Sequence, residues 1–330
     1  MPEDNGLKTI TAGELMDTQL PVKHQIVADF LPVGTYIMAG APKIGKSFLM
    51  TQLCWCVSEG QPFLEYETQQ ADVLYLALED TNVRLQERLN RMFGVNWLGT
   101  RLHLTFRTAQ QGNNLIQQLE NFVFEHPETR LIVIDTLQRA RSNDDGNYSY
   151  ANDYKDIQPF KEFSDARDLA MILVHHTRKN TNSTNPFDQI SGTNGLLGAA
   201  DGGFILHREK DEVFLDFTGR DLPPQRYELR FAKSNCLWEL IRVDEPFFEK
   251  EPVPLLDWID ALVLDFWSGT ATQLLDEIKN MIPDLEWKPN YLTRNLNILA
   301  ARLEEDKGII YRCRRDKDHR FLTFERTPRG

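Results

Sequence analysis

Eight consecutive residues, Gly40-Ala41-Pro42-Lys43-Ile44-Gly45-Lys46-Ser47, match the spacing GxxxxGK[ST]. They follow an apolar run, Thr35 to Ala39, and open a helical one, Ser47 to Glu59. That strand–turn–helix context gives the spacing its physical meaning. Such a loop aims backbone N–H groups at an anion beside a helix N-terminus. The chemistry it predicts is the binding of a nucleoside triphosphate, with Lys46 on the β- and γ-phosphates and the Ser47 hydroxyl on Mg²⁺. Gly40 to Ser47, with Phe48 in the first helical turn, are the expected nucleotide-binding set.

Splitting a phosphoanhydride needs further groups. Asp135 ends the apolar run Leu131-Ile132-Val133-Ile134 and is placed to hold the metal's water shell together with Ser47. Glu79 and Asp80 end Val73-Leu74-Tyr75-Leu76-Ala77-Leu78. In a parallel α/β sheet the carboxyl ends of the strands face the ligand crevice. Glu79 is therefore the expected water-polarising base, and Asp80 the cap of the following helix. His175 and His176 end another such run, Ala170 to Val174. Adjacent strand residues point to opposite faces, so the two make a poor metal pair, and one of them is expected at the γ-phosphate. Arg208, in His207-Arg208-Glu209-Lys210, and Arg220, in Gly219-Arg220, are cations that could stabilise transition-state charge in their own subunit or a neighbour's. The alternative for each is a solvated basic turn.

Strand-like and helical runs alternate to position these groups. Strands are predicted at Thr35–Ala39, Val73–Leu78, Leu102–Arg107, Leu131–Asp135, Ala170–Val174 and Gly203–His207. Helices are predicted at Ser47–Glu59, Val83–Met92, Asn114–Glu125 and Asp156–Ala166. Continuous apolar strands suit a parallel sheet covered on both faces. After Asp211 the rhythm changes to hairpins, with strands at Val213–Thr218, Gln225–Ala232 and Leu237–Arg242. A Pro- and Glu-rich stretch, 246–254, separates a core of 1–245 from a tail of 255–330. The tail carries helices at Leu255–Phe266, Ala271–Asn280 and Asn290–Glu305, then a hairpin of Ile309–Arg314 and Arg320–Phe324. The order is that of a small α+β winged helix.

The 330 residues exceed the roughly 150 of one typical domain, in keeping with two. Apolar residues make up 41% and charged residues 26%, which excludes wholesale disorder. No run approaches the ~18 apolar residues of a membrane span. The polar N-terminus lacks a secretory signal, and a cytoplasmic, reducing location is expected. The four cysteines are too scattered for a disulfide framework or a zinc site, and Cys54-Trp55-Cys56 is expected in the core. A net charge of -12 disfavours nonspecific coating of nucleic acid. From Lys307 onward, however, eight Lys/Arg face three Asp/Glu, marking the tail as a place for a polyanion. On the third tail helix, Leu292, Leu296, Ile298, Leu299 and Leu303 are the expected core stripe. Asn290, Thr293, Arg294 and Asn297 are the expected groove-facing set, with Arg312, Arg314, Arg315, Lys317 and Arg320 tracking phosphates. Protein docking through a solvated basic hairpin is the alternative for this tail.

The succession strand–phosphate loop, strand–Glu79, strand–Asp135, strand–His175-His176, Arg208-x-Lys210 resembles the RecA-fold ATPase core. It is most similar to the RepA-like, AAA_25-type family of hexameric helicases of plasmids and mobile elements. Thr11-Ala12-Gly13-Glu14-Leu15, Val174 to Lys179 and Thr218-Gly219-Arg220-Asp221 add to the likeness. The resemblance implies an α/β RecA-like core using ATP and Mg²⁺. In that family the acid matching Glu79 activates water, the residue matching His175 senses the γ-phosphate, and an arginine near Arg208 reaches the neighbouring subunit's nucleotide. It implies a homo-hexameric ring around single-stranded DNA, with duplex DNA as a further partner of the tail and no membrane. Pore loops are expected at 138–156, with Arg139 and Arg141, and at 178–198, with Arg178 and Lys179. An ATP-switched loader or regulator that does not unwind DNA is the alternative activity, and a small-molecule kinase a more distant one.

Overall fold

The computed structural model describes residues 9–20, 24–107, 115–140, 150–177, 186–189, 195–244, 254–316 and 319–327. The chain divides into two units: Lys23–Glu249, and Met1–Val22 together with Lys250–Gly330.

The larger unit is built on nine strands: β1 (Gly34–Gly40), β2 (Asp72–Ala77), β3 (Leu102–Thr105), β4 (Thr129–Asp135), β5 (Ala170–His176), β6 (Gly202–Glu209), β7 (Glu212–Gly219), β8 (Gln225–Ala232) and β9 (Leu237–Val243). They lie in the order β9-β8-β7-β6-β1-β5-β4-β2-β3. The six from β6 to β3 in that order are mutually parallel, and β7, β8 and β9 add antiparallel hairpins. This is an α/β fold with a mostly parallel central sheet. Central β1 is buried along its whole length. Strand alternation sends Tyr36 and Met38 to one face and Ile37 and Ala39 to the other.

Helices α1 (Lys46–Glu59) and α2 (Asn82–Phe93) cover the first face through Leu49, Leu53, Val57, Leu85 and Leu89. Helices α3 (Leu115–Glu125) and α4 (Tyr150–Arg167) cover the second through Leu115, Leu119, Ile157, Phe160 and Phe163. α1 is buried on nearly every side, Thr51, Gln52 and Ser58 included, as a helix enclosed by sheet and neighbours. Cys54 and Cys56 are buried in it, as expected. No described helix is long and apolar enough to cross a membrane.

In the second unit the elements run α5 (Pro254–Leu262), β10 (Phe266–Thr270), α6 (Ala271–Met281), α7 (Pro289–Lys307), β11 (Ile309–Asp316) and β12 (His319–Arg326). The strands form an antiparallel sheet, β10-β12-β11. The helix expected over Leu255–Phe266 stops at Leu262, and Phe266–Thr270 is a strand. Trp267 packs edge-on against Phe324 across that sheet, and the Thr270 side chain caps α6. The apolar run Leu262-Val263-Leu264 had masked the break.

The N-terminal segment, expected with the 1–245 core, belongs instead to this second unit. Asp17 pairs with Arg294 at 3.0 Å. The Gln19 side chain donates to the Tyr311 carbonyl (2.8 Å) and accepts from the Cys313 N–H (3.2 Å), extending the hairpin's edge. Apart from Pro254, the expected linker 246–254 lies outside the described residues.

The face expected on α7 is also corrected. Ile298, assigned to the core, is 64% exposed. Thr293 and Asn297, assigned to a groove, are buried. Tyr311 donates its hydroxyl proton to Asn297 Oδ1 at 3.1 Å, and Thr293 bonds back to the Pro289 carbonyl at 3.0 Å. The core stripe runs through Leu292, Leu296, Ala300 and Leu303, a period that the long apolar run around Ile298 blurred.

Candidate active site

The phosphate loop leaves the carboxyl end of β1 and enters α1. Two positions require glycine. A Cβ on Gly40 would lie 2.5 Å from the Leu206 carbonyl oxygen. One on Gly45, whose φ is +110°, would lie 2.7 Å from the Trp238 ring. Trp238, on β9, donates its indole N–H to the Gly45 carbonyl at 3.2 Å. Gln52 of α1 exchanges two hydrogen bonds with the Trp238 backbone, at 2.8 and 2.9 Å. The antiparallel extension of the sheet therefore grips the first turns of the loop's helix. Phe48 packs edge-on against Phe231 and under the Arg88 guanidinium.

Lys46 is 5% exposed. Its ammonium donates to the carbonyls of Gly40 (2.7 Å) and Ala41 (3.0 Å) and to His176 Nδ1 (3.2 Å). Among the described residues it forms no salt bridge, so its charge is left for a ligand. Burial lowers its pKa from 10.5 to about 8, outweighing the attraction of Asp135 and Glu79. The other ring nitrogen of His176, Nε2, lies 3.7 Å from Glu79 Oε2, beyond hydrogen-bond distance. His176 thus stands between Lys46, to which it is hydrogen-bonded, and Glu79.

Asp135 is 6% exposed. Burial raises its pKa, against hydrogen bonds from the Ser47 and Tyr75 hydroxyls and the nearby Lys46 charge; Glu79 adds to the rise. The Tyr75 hydroxyl is 2.9 Å from Asp135 Oδ2. The next residue, Thr136, donates its hydroxyl to Glu79 Oε1 at 2.9 Å and fixes that carboxylate, whose side chain is 42% exposed. A loop that tolerates no Cβ at Gly40 or Gly45, a buried ammonium without a carboxylate partner, and a hydroxyl–carboxylate pair fit a magnesium nucleotide. Gly40 to Ser47, including Pro42, Lys43 and Ile44, would hold its phosphates, and Ser47 and Asp135 its metal.

The arrangement brings together most of the residues singled out in the sequence and separates others. His175 takes the opposite strand face from His176, because the alternation along β5 puts Ile172 and Val174 on the α1 side and Met171 and Leu173 on the other. The histidine joined to Lys46 and Glu79 is therefore His176, where the family likeness pointed to His175. Asp80 does not cap α2. Thr81 does, while Asp80 accepts from the Thr81 N–H and pairs with Arg88 at 2.7 Å.

Arg208, at the end of β6, is exposed and has no ion pair among the described residues. It lines two cavities flanking the loop, about 350 and 560 Å³ in volume. Arg220 is not at the loop. Gly219 pairs with Gly202, which neighbours Tyr36, about 13 Å along the strands from Gly40. Arg220 donates to the Gly198 carbonyl at 3.0 Å and sits 3.9 Å from Asp201. The antiparallel return of β7 carries it to the far end of the sheet.

Tyr75, Thr136 and Trp238 were missed, since each acts on a residue distant in sequence. The pore-loop expectations fall mostly outside the described residues, including Arg141, Arg178 and Lys179. Arg139 is exposed on a single turn, Leu137–Ala140.

Residues 3–182 match the family AAA_25, AAA domain. No curated protein sequence matches the chain. Among solved structures, the chain is similar to the ATPase domain of G40P, with a TM-score of 0.52 and 15% identity over 63% of this chain and 85% of that one. A DnaB-like replicative helicase, solved for its interactions with primase, gives 0.52 and 14% over 63% of this chain and 59% of that one. A KaiC-like protein from the archaeon Pyrococcus horikoshii gives 0.47 and 13% over 66% and 94%.

Proposed function

Since the chain belongs to the AAA_25 family of AAA domains, we propose that it is an ATP-hydrolysing RecA-fold motor, a homo-hexameric DNA helicase or translocase serving plasmid or mobile-element replication. The observation that carries this reading is the chain of contacts Lys46–His176–Glu79 beside the Ser47–Asp135 pair. It joins a phosphate-seeking cation to a carboxylate held for work on water. Glu79, oriented by Thr136, takes a proton from the attacking water. Lys46 and the bound metal neutralise charge on the phosphates. His176 couples the occupancy of Lys46 to the position of Glu79, which is how a γ-phosphate would be sensed. Arg208 is the candidate finger completing a neighbouring subunit's site.

Likeness in fold to the ATPase domain of G40P and to a DnaB-like helicase supports a ring on single-stranded DNA. In the second unit, the order helix–strand–helix–helix–strand–strand supports a winged helix. The alternative is an ATP-switched DNA-binding loader or regulator that does not unwind DNA; for the tail itself, Thr293 and Asn297 are turned inward, which leaves only Asn290 and Arg294 of the expected groove-facing set and favours docking on protein. Strand displacement on a forked DNA separates the two. The motor requires unwinding that depends on ATP and disappears in Lys46→Ala. DNA-stimulated ATP hydrolysis without displacement identifies the loader, and turnover by Lys46→Ala within about threefold of wild type refutes both, since lost transition-state contacts cost orders of magnitude.

A further inference from the structure

At the amino ends of the strands, the edge opposite the phosphate loop, three side chains converge from three segments. Asp72 opens β2, His103 is the second residue of β3, and His126 follows α3. Their ligand-type atoms all lie within 4.8 Å of one another. The imidazoles of His103 and His126 are 4.1 Å apart at their centroids, with Phe122 edge-on to His103 at 5.2 Å and tilted against His126 at 4.5 Å. His103 Nε2 is closed off from solvent and has no hydrogen-bond partner among the described residues. A buried imidazole nitrogen with nothing to bind is a group in want of a ligand.

The backbone holds all three in place. Asp72 N–H donates to the Glu128 carbonyl, and His103 is paired in the sheet opposite Leu74. The His126 N–H donates to Phe122, and its carbonyl accepts from both the N–H and the hydroxyl of Thr129. Arg101 donates to Glu128 at 2.7 Å and, in a longer pair of 3.4 Å, to Oδ1 of Asp72, a contact an ion would have to share or displace.

We propose that Asp72, His103 and His126 form a binding site for one transition-metal dication, zinc by preference, distinct from the magnesium site of the nucleotide. Two imidazoles and a carboxylate are borderline donors that suit Zn²⁺, Co²⁺ or Ni²⁺ and do not suit Mg²⁺. Donors about 2.1 Å from a tetrahedral ion stand about 3.4 Å apart, so closure asks for side-chain rotations of an ångström or so. Three protein ligands leave a fourth position for water. The ion would tie the end of α3 to β2 and β3, a staple between helix layer and sheet edge.

The test is titration of the untagged full-length protein with Co²⁺, then Zn²⁺, in millimolar Mg²⁺ to keep the nucleotide site occupied. Cobalt absorption, competition by zinc and thermal melting are followed. The expected result is one equivalent of Co²⁺ with a low-symmetry visible spectrum, displaced by Zn²⁺, and a melting temperature raised by zinc. His126→Gln and Asp72→Asn, at partly exposed positions, should each weaken binding at least tenfold and abolish the zinc-dependent melting shift, and His103→Gln should do the same. Ser47→Ala should leave the cobalt spectrum unchanged. Absence of saturable binding in the wild type overturns the proposal, as does wild-type cobalt affinity in His126→Gln.

Discussion

The state of Lys46 makes nucleotide affinity a function of pH. In the free protein its pKa is about 8. A bound triphosphate, itself ionised above a pH of about 6, stabilises the ammonium and returns the pKa to at least its ordinary 10.5. Binding above pH 8 therefore takes up a proton. Between pH 7.5 and 9.5 the apparent affinity should fall on the order of twentyfold, with about 0.9 proton taken up at the upper end. Calorimetry with a non-hydrolysable ATP analogue, in buffers of different ionisation enthalpy, measures both quantities.

Lys46→Arg, whose guanidinium stays charged, should show a flat profile over the same range. The same displacement acts on stability with a defined sign. The folded pKa lies below the unfolded one, so the unfolded chain holds more protons between about 8 and 10.5. The cost of burying the ammonium, about 3 kcal/mol at most, is fully present below pH 8 and relieved as pH rises through that window. The stability difference between wild type and Lys46→Met should narrow accordingly in urea denaturation. An analogue affinity constant to within twofold from pH 7.5 to 9.5, or an equal slope in Lys46→Arg, would refute the assignment of Lys46 as a desolvated phosphate contact.

Glu79→Gln should retain ATP binding and lose hydrolysis by at least a hundredfold in steady-state turnover, because the amide cannot accept a proton from water. Normal turnover there with a dead Asp80→Asn would make Asp80 the base instead. Doping wild type with Arg208→Ala should depress ATPase activity more than dilution does, since each arginine completes the next subunit's site; activity that follows the wild-type fraction alone places the arginine in its own subunit. Asn297→Ala should destabilise the second unit by about 1–3 kcal/mol in chemical denaturation, by removing the buried acceptor of the Tyr311 hydroxyl and leaving a gap beside it; a DNA-binding defect without loss of stability would instead make Asn297 a recognition residue. In the full chain, Arg312→Ala with Arg314→Ala should reduce the salt slope of duplex binding by about two units if both touch phosphate. Among the described residues, Arg312 gives up an exposed pair with Glu325 in that change. An unchanged slope by fluorescence anisotropy directs the hairpin to protein.

The sequence by itself determined the phosphate loop, the strand-end acids and the alternation of buried strands with helices. These are local matters: GxxxxGK[ST] encodes a backbone path, and a run such as Leu131 to Ile134 encodes a strand covered on both faces. It also located the tail and most of its elements, missing β10, where only Asp265 separates Phe266 and Trp267 from the apolar run before them and no Gly or Pro marks the break. What it could not decide is which of two neighbouring residues faces the site and which distant residues meet there. His175 and His176 are equivalent on paper, and only the phase of β5 against β1 brings His176 to Lys46. Arg220 appeared to belong to the loop until the antiparallel return of β7 carried it to the other end of the sheet. Tyr75 on Asp135, Thr136 on Glu79 and Trp238 against Gly45 join segments 57 to 193 residues apart. On α7 the same limit applies: with apolar residues on more than one side, the phase was settled by Tyr311 reaching Asn297 across the unit. Pattern carries the period of an element, whereas its rotation, register and long-range partners are fixed only when the side chains close-pack.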